Sequence, residues 1–226
     1  SGTAHRVALG GLRMTVTHAD GFPVEPVEVD SVLLGMGERY DVLVRPDSGA
    51  WPLVALAEGK DRTAMAVIRT GGTGSTAPPP ADVRPAELDG RLLGYADLRA
   101  TESVRLERAQ PDIDEVVEIA GSMMPYEWSF DGVAFPQHPY TENEQGQRVR
   151  ITFENTSPMW HPIHLHGHTF RLGEASSGPR KDTVNVLPGE RVVVEFDADN
   201  PGQWMAHCHN TYHLERGMAM VVSYVT

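Results

Sequence analysis

The sequence is short of the residues that staple, span or bind polyanions. It has one cysteine, Cys208, in 226 residues, so no intrachain disulfide can form. A lone cysteine is usually a small buried apolar residue, and its neighbours decide whether it is more than that. No apolar run approaches the roughly 20 residues that a membrane-crossing helix needs. Basic residues are the minority, with 19 Lys and Arg against 31 Asp and Glu, for a formal charge of -12. That balance excludes general nucleic-acid binding, which needs a basic footprint. There is no Gly-x-Ser-x-Gly elbow for a hydrolytic serine and no glycine-rich phosphate loop. The chain opens on Ser1 rather than Met and shows no signal peptide, so its N-terminus is expected to be processed or engineered. With 40% hydrophobic residues and a mean hydropathy of -0.31, it reads as a soluble globular chain of one or two domains.

Helix signals are scarce too. Short Val- and Thr-containing runs cover 13–17, 40–44, 148–153 and 191–196. Val149, Ile151 and Phe153 alternate with polar residues, as a half-buried strand requires. Asp20-Gly21, Pro188-Gly189 and Pro201-Gly202 supply turns between such runs. The pattern predicts an all-β chain of antiparallel sandwich or barrel type. Residues 71–85, with Gly-Gly, Gly-Ser and Pro-Pro-Pro, read as a linker. The 1–70 segment before it is small for a sandwich and is expected to be part of a domain. The 86–226 segment is long enough for one full domain.

Seven of the ten histidines fall in two windows. The first holds His161, His164, His166 and His168; the second holds His207, His209 and His213, with Cys208 between its first two histidines. Structural histidines seldom cluster, whereas imidazole is a common nitrogen ligand for copper and zinc. Successive side chains on a strand point to opposite faces. His207 and His209 should therefore share one face with His164 and His166, while Cys208 and His161 take the other. His213 lies five positions after Cys208 and Met218 five after that, with Gly217 allowing a bend. Two histidines, a cysteine thiolate and a weak axial methionine are the ligands of a blue-copper electron-transfer centre. A zinc site would also use His and Cys, but it accounts for neither Met218 nor the separate all-histidine face. Cys208 would join the two sites through backbone bonds to His207 and His209.

These residues resemble the multicopper oxidase family, which includes laccases, ascorbate oxidases, bilirubin oxidases and bacterial copper-resistance oxidases. The stretch His161-Pro162-Ile163-His164-Leu165-His166-Gly167 and the run from His207 through His213 to Met218 match its two C-terminal copper motifs. The strong resemblance covers about 145–226. Residues 1–70 resemble the later part of the middle domain of a three-domain bacterial member, with Thr17–Pro23 and Gly37–Asp41 as cues that read as structural. The resemblance implies cupredoxin-like Greek-key sandwiches, one complete and one partial. It implies a type 1 copper held by His161, Cys208 and His213 with Met218 axial, a type 2 copper on His164, and a type 3 pair on His166, His207 and His209. It further implies electrons taken from phenolic or cuprous donors, dioxygen reduced to water, and a secreted, periplasmic or extracellular location.

The sequence departs from the family in two ways. The family's three-copper cluster uses eight histidines, four of them from two His-x-His motifs in an N-terminal domain, and no such motif precedes His164. Half the cluster must come from an N-terminal cupredoxin region or a companion chain. Many bacterial members also carry Glu directly after the histidine matching His213; here Leu214 stands there, and Glu215 becomes the candidate for proton delivery, alongside the plain reading of a surface carboxylate. Met123, Met124 and Met159 are too few for a methionine-rich cuprous site. His168 continues the parity of the ligands, but Gly167 can bend the chain before it. Asp182 is either an acceptor that orients an imidazole or a strand-edge charge. Trp160 and Trp204 read as packing shields, and His5, His18 and His138 as surface or loop residues. The alternative function is a copper-binding electron-transfer module without oxidase activity, or a structural fragment with empty sites.

Overall fold

The computed structural model describes residues 2–71 and 77–225. Positions 72–76 of the expected linker lie outside the described residues. The chain divides into two compact units, one made of Thr3–Gly35 with Arg39–Arg99, the other of Met36–Glu38 with the chain from Ala100 onward.

The first unit contains β1 (His5–Leu9), β2 (Met14–Ala19), β3 (Phe22–Val29), β4 (Ser31–Leu34), β5 (Tyr40–Leu43), β6 (Gly49–Ala57) and β7 (Arg62–Thr70). They form two sheets, β4-β1-β6-β7 and β3-β2-β5. Asp20 and Gly21 both take positive φ and join β2 to β3 in a tight hairpin, as Asp-Gly predicts. Met14, Val16, Val24 and Val29 pack with Val32, Leu93 and Leu98 in one buried cluster. Leu88 packs with Ala8, Val54 and Leu56 in another. Residues 86–99 therefore belong to this unit and not to the C-terminal one. Leu88 sits on a short 3-10 turn, while Leu93 and Leu98 lie in irregular chain before and after a second one, so their spacing carries no strand or helix period. His5 and His18 lie in β1 and β2 rather than in loops.

The second unit contains β8 (Ile113–Met123), β9 (Tyr126–Phe130), β10 (Thr141–Asn143), β11 (Arg148–Asn155), β12 (His161–Leu165), β13 (Phe170–Leu172), β14 (Arg180–Lys181), β15 (Thr183–Val186), β16 (Arg191–Asp197), β17 (Gln203–Cys208), α1 (Thr211–Leu214) and β18 (Ala219–Tyr224). One sheet runs β14-β13-β16-β11-β8-β9 and the other β10-β18-β17-β12-β15. The expected antiparallel pattern holds for most pairs, but β8 with β11 and β10 with β18 are parallel. Both parallel pairs join strands separated by long stretches of chain, which parallel pairing requires. Val149, Ile151 and Phe153 are buried as expected, yet Arg148 and Thr152 on the opposite face of β11 are buried as well. β11 is a central strand covered on both sides. The charge there is compensated, since Glu195, fully buried on β16, accepts from Arg150 at 2.8 Å and from Arg171. Buried charges persist only when paired in this way.

Candidate metal centre

Strand register sorts the ligand candidates. β12 and β17 pair so that Ile163 stands opposite Cys208 and His164 opposite His207. Directly paired residues share a face, so Cys208 and His161 look into the sandwich while His164 and His207 look outward. After β17 the chain makes the single turn of α1, capped by Asn210, whose side chain accepts the Tyr212 N–H. This turn carries His213 back beside Cys208.

The inward group is compact. His161, Cys208 and His213 are all buried, and their ligand atoms lie within 4.8 Å of one another. The two Nδ1 atoms are 3.0 Å apart, and Cys208 Sγ is 3.7 Å from His161 Nδ1 and 3.6 Å from His213 Nδ1. Burial pushes the Cys208 thiol up to about 12, His161 down to about 3 and His213 down to about 4. The pocket thus holds two neutral imidazoles and a thiol that ionises only against a cation. A soft metal ion fits this donor set, and loading it displaces the thiol proton. Met218 is fully buried, and its carbonyl accepts the Cys208 N–H at 3.1 Å. That bond holds the main chain of residue 218 against that of Cys208.

Residues around the ligands aim the rings. His161 Nε2 lies 2.7 Å from Ser157 Oγ. The Ser157 hydroxyl is itself 2.8 Å from Asn155 Oδ1 and donates to it. The serine oxygen is then free to accept from His161 Nε2, which leaves Nδ1 to face the sulfur. Trp128 stacks on His213 with centroids 4.1 Å apart and an interplanar angle of 24°. Neither Ser157 nor Trp128 was singled out from the sequence. The Asn-x-Ser that ends β11, four residues before His161, is the signal that could have found the serine.

The outward group is open. Ring centroids of His164, His166, His207 and His209 are separated by 4.9 Å (164–166), 5.1 Å (166–207), 5.7 Å (164–207) and 5.9 Å (164–209 and 207–209). His166 Nε2 and His207 Nε2 are 3.0 Å apart. His207 Nδ1 lies 3.0 Å from the Cys208 carbonyl, and His164 Nδ1 lies 2.8 Å from the Asp182 carbonyl. A carbonyl only accepts, so both Nδ1 atoms are protonated and both Nε2 atoms keep a lone pair for a metal. Burial lowers His207 to about 4 and lowers His166 as well. His164 and His166 line an open cleft of about 420 Å³ together with Asp182 and Arg180.

The other candidates fall elsewhere. Gly167, at φ +69°, turns the chain against the Trp204 ring. His168 is thereby buried between Phe196 and Tyr224, with Nε2 2.7 Å from the Tyr224 hydroxyl, outside the ligand cluster. Asp182 does orient an imidazole, but chiefly through its main-chain carbonyl; its carboxylate stands 3.6 Å from His164 Nδ1. Glu215 is exposed at the C-terminal cap of α1. Met123 and Met124 are exposed on the β8–β9 hairpin. His138 sits in a loop as expected, yet it is buried, 3.1 Å from Asp131.

The sequence matches the multicopper oxidase family over residues 108–226 and again over 2–73. The chain belongs to the multicopper oxidase family. It is 46% identical to the multicopper oxidase MmcO of Mycobacterium tuberculosis over 99% of its own length and 44% of that protein. It is 29% identical to the copper resistance protein A homolog of Pseudomonas syringae pv. tomato, across 94% of this chain and 51% of that one. Among solved structures it resembles Fet3p, a multicopper oxidase that functions in iron import, with a TM-score of 0.83 at 20% identity over 98% of this chain and 53% of that one. A laccase from Botrytis aclada gives 0.75 at 23% identity, covering 99% and 49%. These likenesses show the fold, which is the nearly all-β, cupredoxin-like sandwich expected. This multicopper oxidase chain spans about half the length of the curated relatives it matches. Membership of the family implies copper as the metal. Among the described residues, no helix is long and apolar enough to cross a membrane.

Proposed function

We propose that the protein containing this chain is a laccase-like, copper-dependent oxidase. It takes electrons from phenolic or cuprous donors at a type 1 site and delivers them to dioxygen at a cluster that this chain half supplies. His161, Cys208 and His213 would hold the first copper, with Met218 as a further weak donor; His164 would hold the type 2 copper, and His166, His207 and His209 would serve the type 3 pair. The remaining ligands come from an N-terminal cupredoxin region or a companion chain. The observation that carries the reading is the register of β12 on β17, which sets a buried Cys–His₂ group and an open four-histidine face back to back.

Bound copper would supply one-electron acceptance at the first site and dioxygen reduction to water at the second. The chain's own residues do the rest. Burial of Cys208 keeps water from its sulfur. The main chain from Cys208 to His207 and His209 is a covalent route between the sites, and the His207 Nδ1–H bond to the Cys208 carbonyl shortens it by a second path. Pinned tautomers at His164 and His207 keep the metal-binding nitrogens deprotonated. Glu215, at the exposed end of α1, is assigned proton delivery. The family's copper-resistance members support a periplasmic or extracellular location.

Copper counting and oxygen uptake on the whole protein test this. Four coppers per active unit, a blue thiolate-to-copper band and oxygen consumption support the oxidase. One copper with a blue band and no oxygen uptake would leave only the electron-transfer module.

A further inference from the structure

The segment Met36–Glu38 lies far from the ligands in sequence but packs with the metal-binding unit. Its last two residues bear on the four-histidine face, Gly37 directly and Glu38 through Lys181 and Asn185. Gly37 has φ +90°, and a Cβ there would fall 2.9 Å from His209 Cδ2 and 3.1 Å from Thr183 Oγ1. Such a contact is closer than real side chains tolerate, so the ring would have to move. His209 lies just past the end of β17, is exposed, and is tied by its main-chain N–H to the Pro162 carbonyl at 2.6 Å. Among the described residues its imidazole has no hydrogen-bond partner. The His209 ring is packed against Gly37, with the His164 and His207 rings 5.9 Å away centroid to centroid.

Glu38 acts on the other side of the face. Its side chain and that of Lys181 are almost wholly buried, with Nζ 3.2 Å from Oε1. Its second oxygen accepts from Asn185 Nδ2. Lys181 ends β14 and leads directly into the corner that holds His164. The Asp182 carbonyl takes His164 Nδ1–H at 2.8 Å and the Leu165 N–H at 3.1 Å, and Thr183 Oγ1 stands 3.1 Å from the same Nδ1. A buried ammonium cannot drift from its carboxylate without leaving both charges stranded. The ion pair therefore fixes the corner, and the corner fixes the His164 tautomer.

We propose that Gly37 and Glu38 are positioning residues for the oxygen-side histidines, Gly37 by setting the His209 ring and Glu38 by anchoring, through Lys181 and Asn185, the carbonyl that holds His164. This rests on the reading of that face as a copper site. It assigns the Gly-Glu pair a role in metal geometry in place of a purely structural one.

The test compares Gly37→Ala and Glu38→Gln with Gly189→Ala in the whole protein. Gly189 also has positive φ, +76°, but open space where a Cβ would go, so it carries the same backbone cost without touching a ligand. Ring-nitrogen NMR of the metal-free protein should show altered His209 resonances in Gly37→Ala and loss of the single Nδ1–H form of His164 in Glu38→Gln. The copper-loaded variants should keep the blue band, which also reports that they are folded. They should retain copper on the histidine face about tenfold more weakly, with changed type 2 resonance parameters. Glu38→Asp should recover part of the loss. If Gly37→Ala and Gly189→Ala give the same ring spectra and the same copper retention, the positioning role of Gly37 is wrong. If Glu38→Gln leaves the His164 tautomer intact, that of Glu38 is wrong. A wild-type protein that takes no copper on this face would instead sink the oxidase reading, while the ring spectra would still decide the positioning.

Discussion

Replacing Ser157 by alanine removes from the wall behind His161 a hydroxyl that also bonds Asn155 Oδ1 and the Met159 main chain. Ser157 and His161 are both buried, and the hydroxyl lies 2.7 Å from Nε2. Without it, Nε2–H either stays unpaired in a dry pocket or the ring turns to find a partner and takes Nδ1 away from Cys208. An unsatisfied buried donor costs about 1–3 kcal/mol. Copper binding requires Nδ1 free and hence Nε2 protonated, so most of that cost falls on the metal-bound state. At 1.4 kcal/mol per factor of ten, the affinity of the first site should fall about ten- to a hundredfold, the range found when outer partners of ligating histidines are lost. The Ser157 main-chain N–H would still donate to Asn155 Oδ1 at 2.9 Å, which keeps the loop in place. Chelator competition followed through the blue band measures the affinity directly. An affinity within twofold of wild type would refute the claim that this serine selects the His161 tautomer.

Further outcomes follow from the same geometry. Cys208→Ser should abolish the blue band while the outward histidines still take up copper, read by metal analysis and electron paramagnetic resonance; a retained blue band would overturn the type 1 assignment. Trp128→Ala should cost about 3–5 kcal/mol in denaturant unfolding, because it empties a buried space against His213. Gly167→Ala should destabilise by roughly 1–3 kcal/mol, since it adds a side chain at positive φ against the Trp204 ring; a neutral result would mean the turn relaxes freely. Glu215→Gln should slow oxygen uptake without changing the blue band if Glu215 delivers protons, and an unchanged rate would return it to the surface.

Much of the site was legible because strand parity is a two-state code. Once the residues around 161 and 207 are extended, the faces of His164, His207 and Cys208 follow without knowledge of the rest of the fold. Parity fails where the strand stops: His168 kept the right count, but Gly167 had already turned the chain. The shell was less visible because it is assembled from positions far apart in sequence. Trp128 comes from a hairpin that looks like any other, and Glu38 reaches Lys181 across 143 positions. The packing of residues 86–99 was hidden for a related reason. Leu88, Leu93 and Leu98 are core residues of the first unit, yet they sit in irregular chain with no period to mark them. Parallel pairing of β8 with β11 was also hidden, since alternation along one strand says nothing of its neighbour's direction.

The pairing of Ile163 with Cys208 has a consequence for how the molecule is assembled. Because side chains alternate, sliding β12 by one residue along β17 would turn His161 outward and His164 inward together. Such a slipped sheet would lose His161 from the inward group and His164 and His166 from the outward one, so neither location keeps its donor set and copper would stabilise it less. Ion binding stabilises only the state that binds it. Metal uptake then works as a proofreading step on the sheet, and the blue colour of a preparation counts the molecules whose strands are in step.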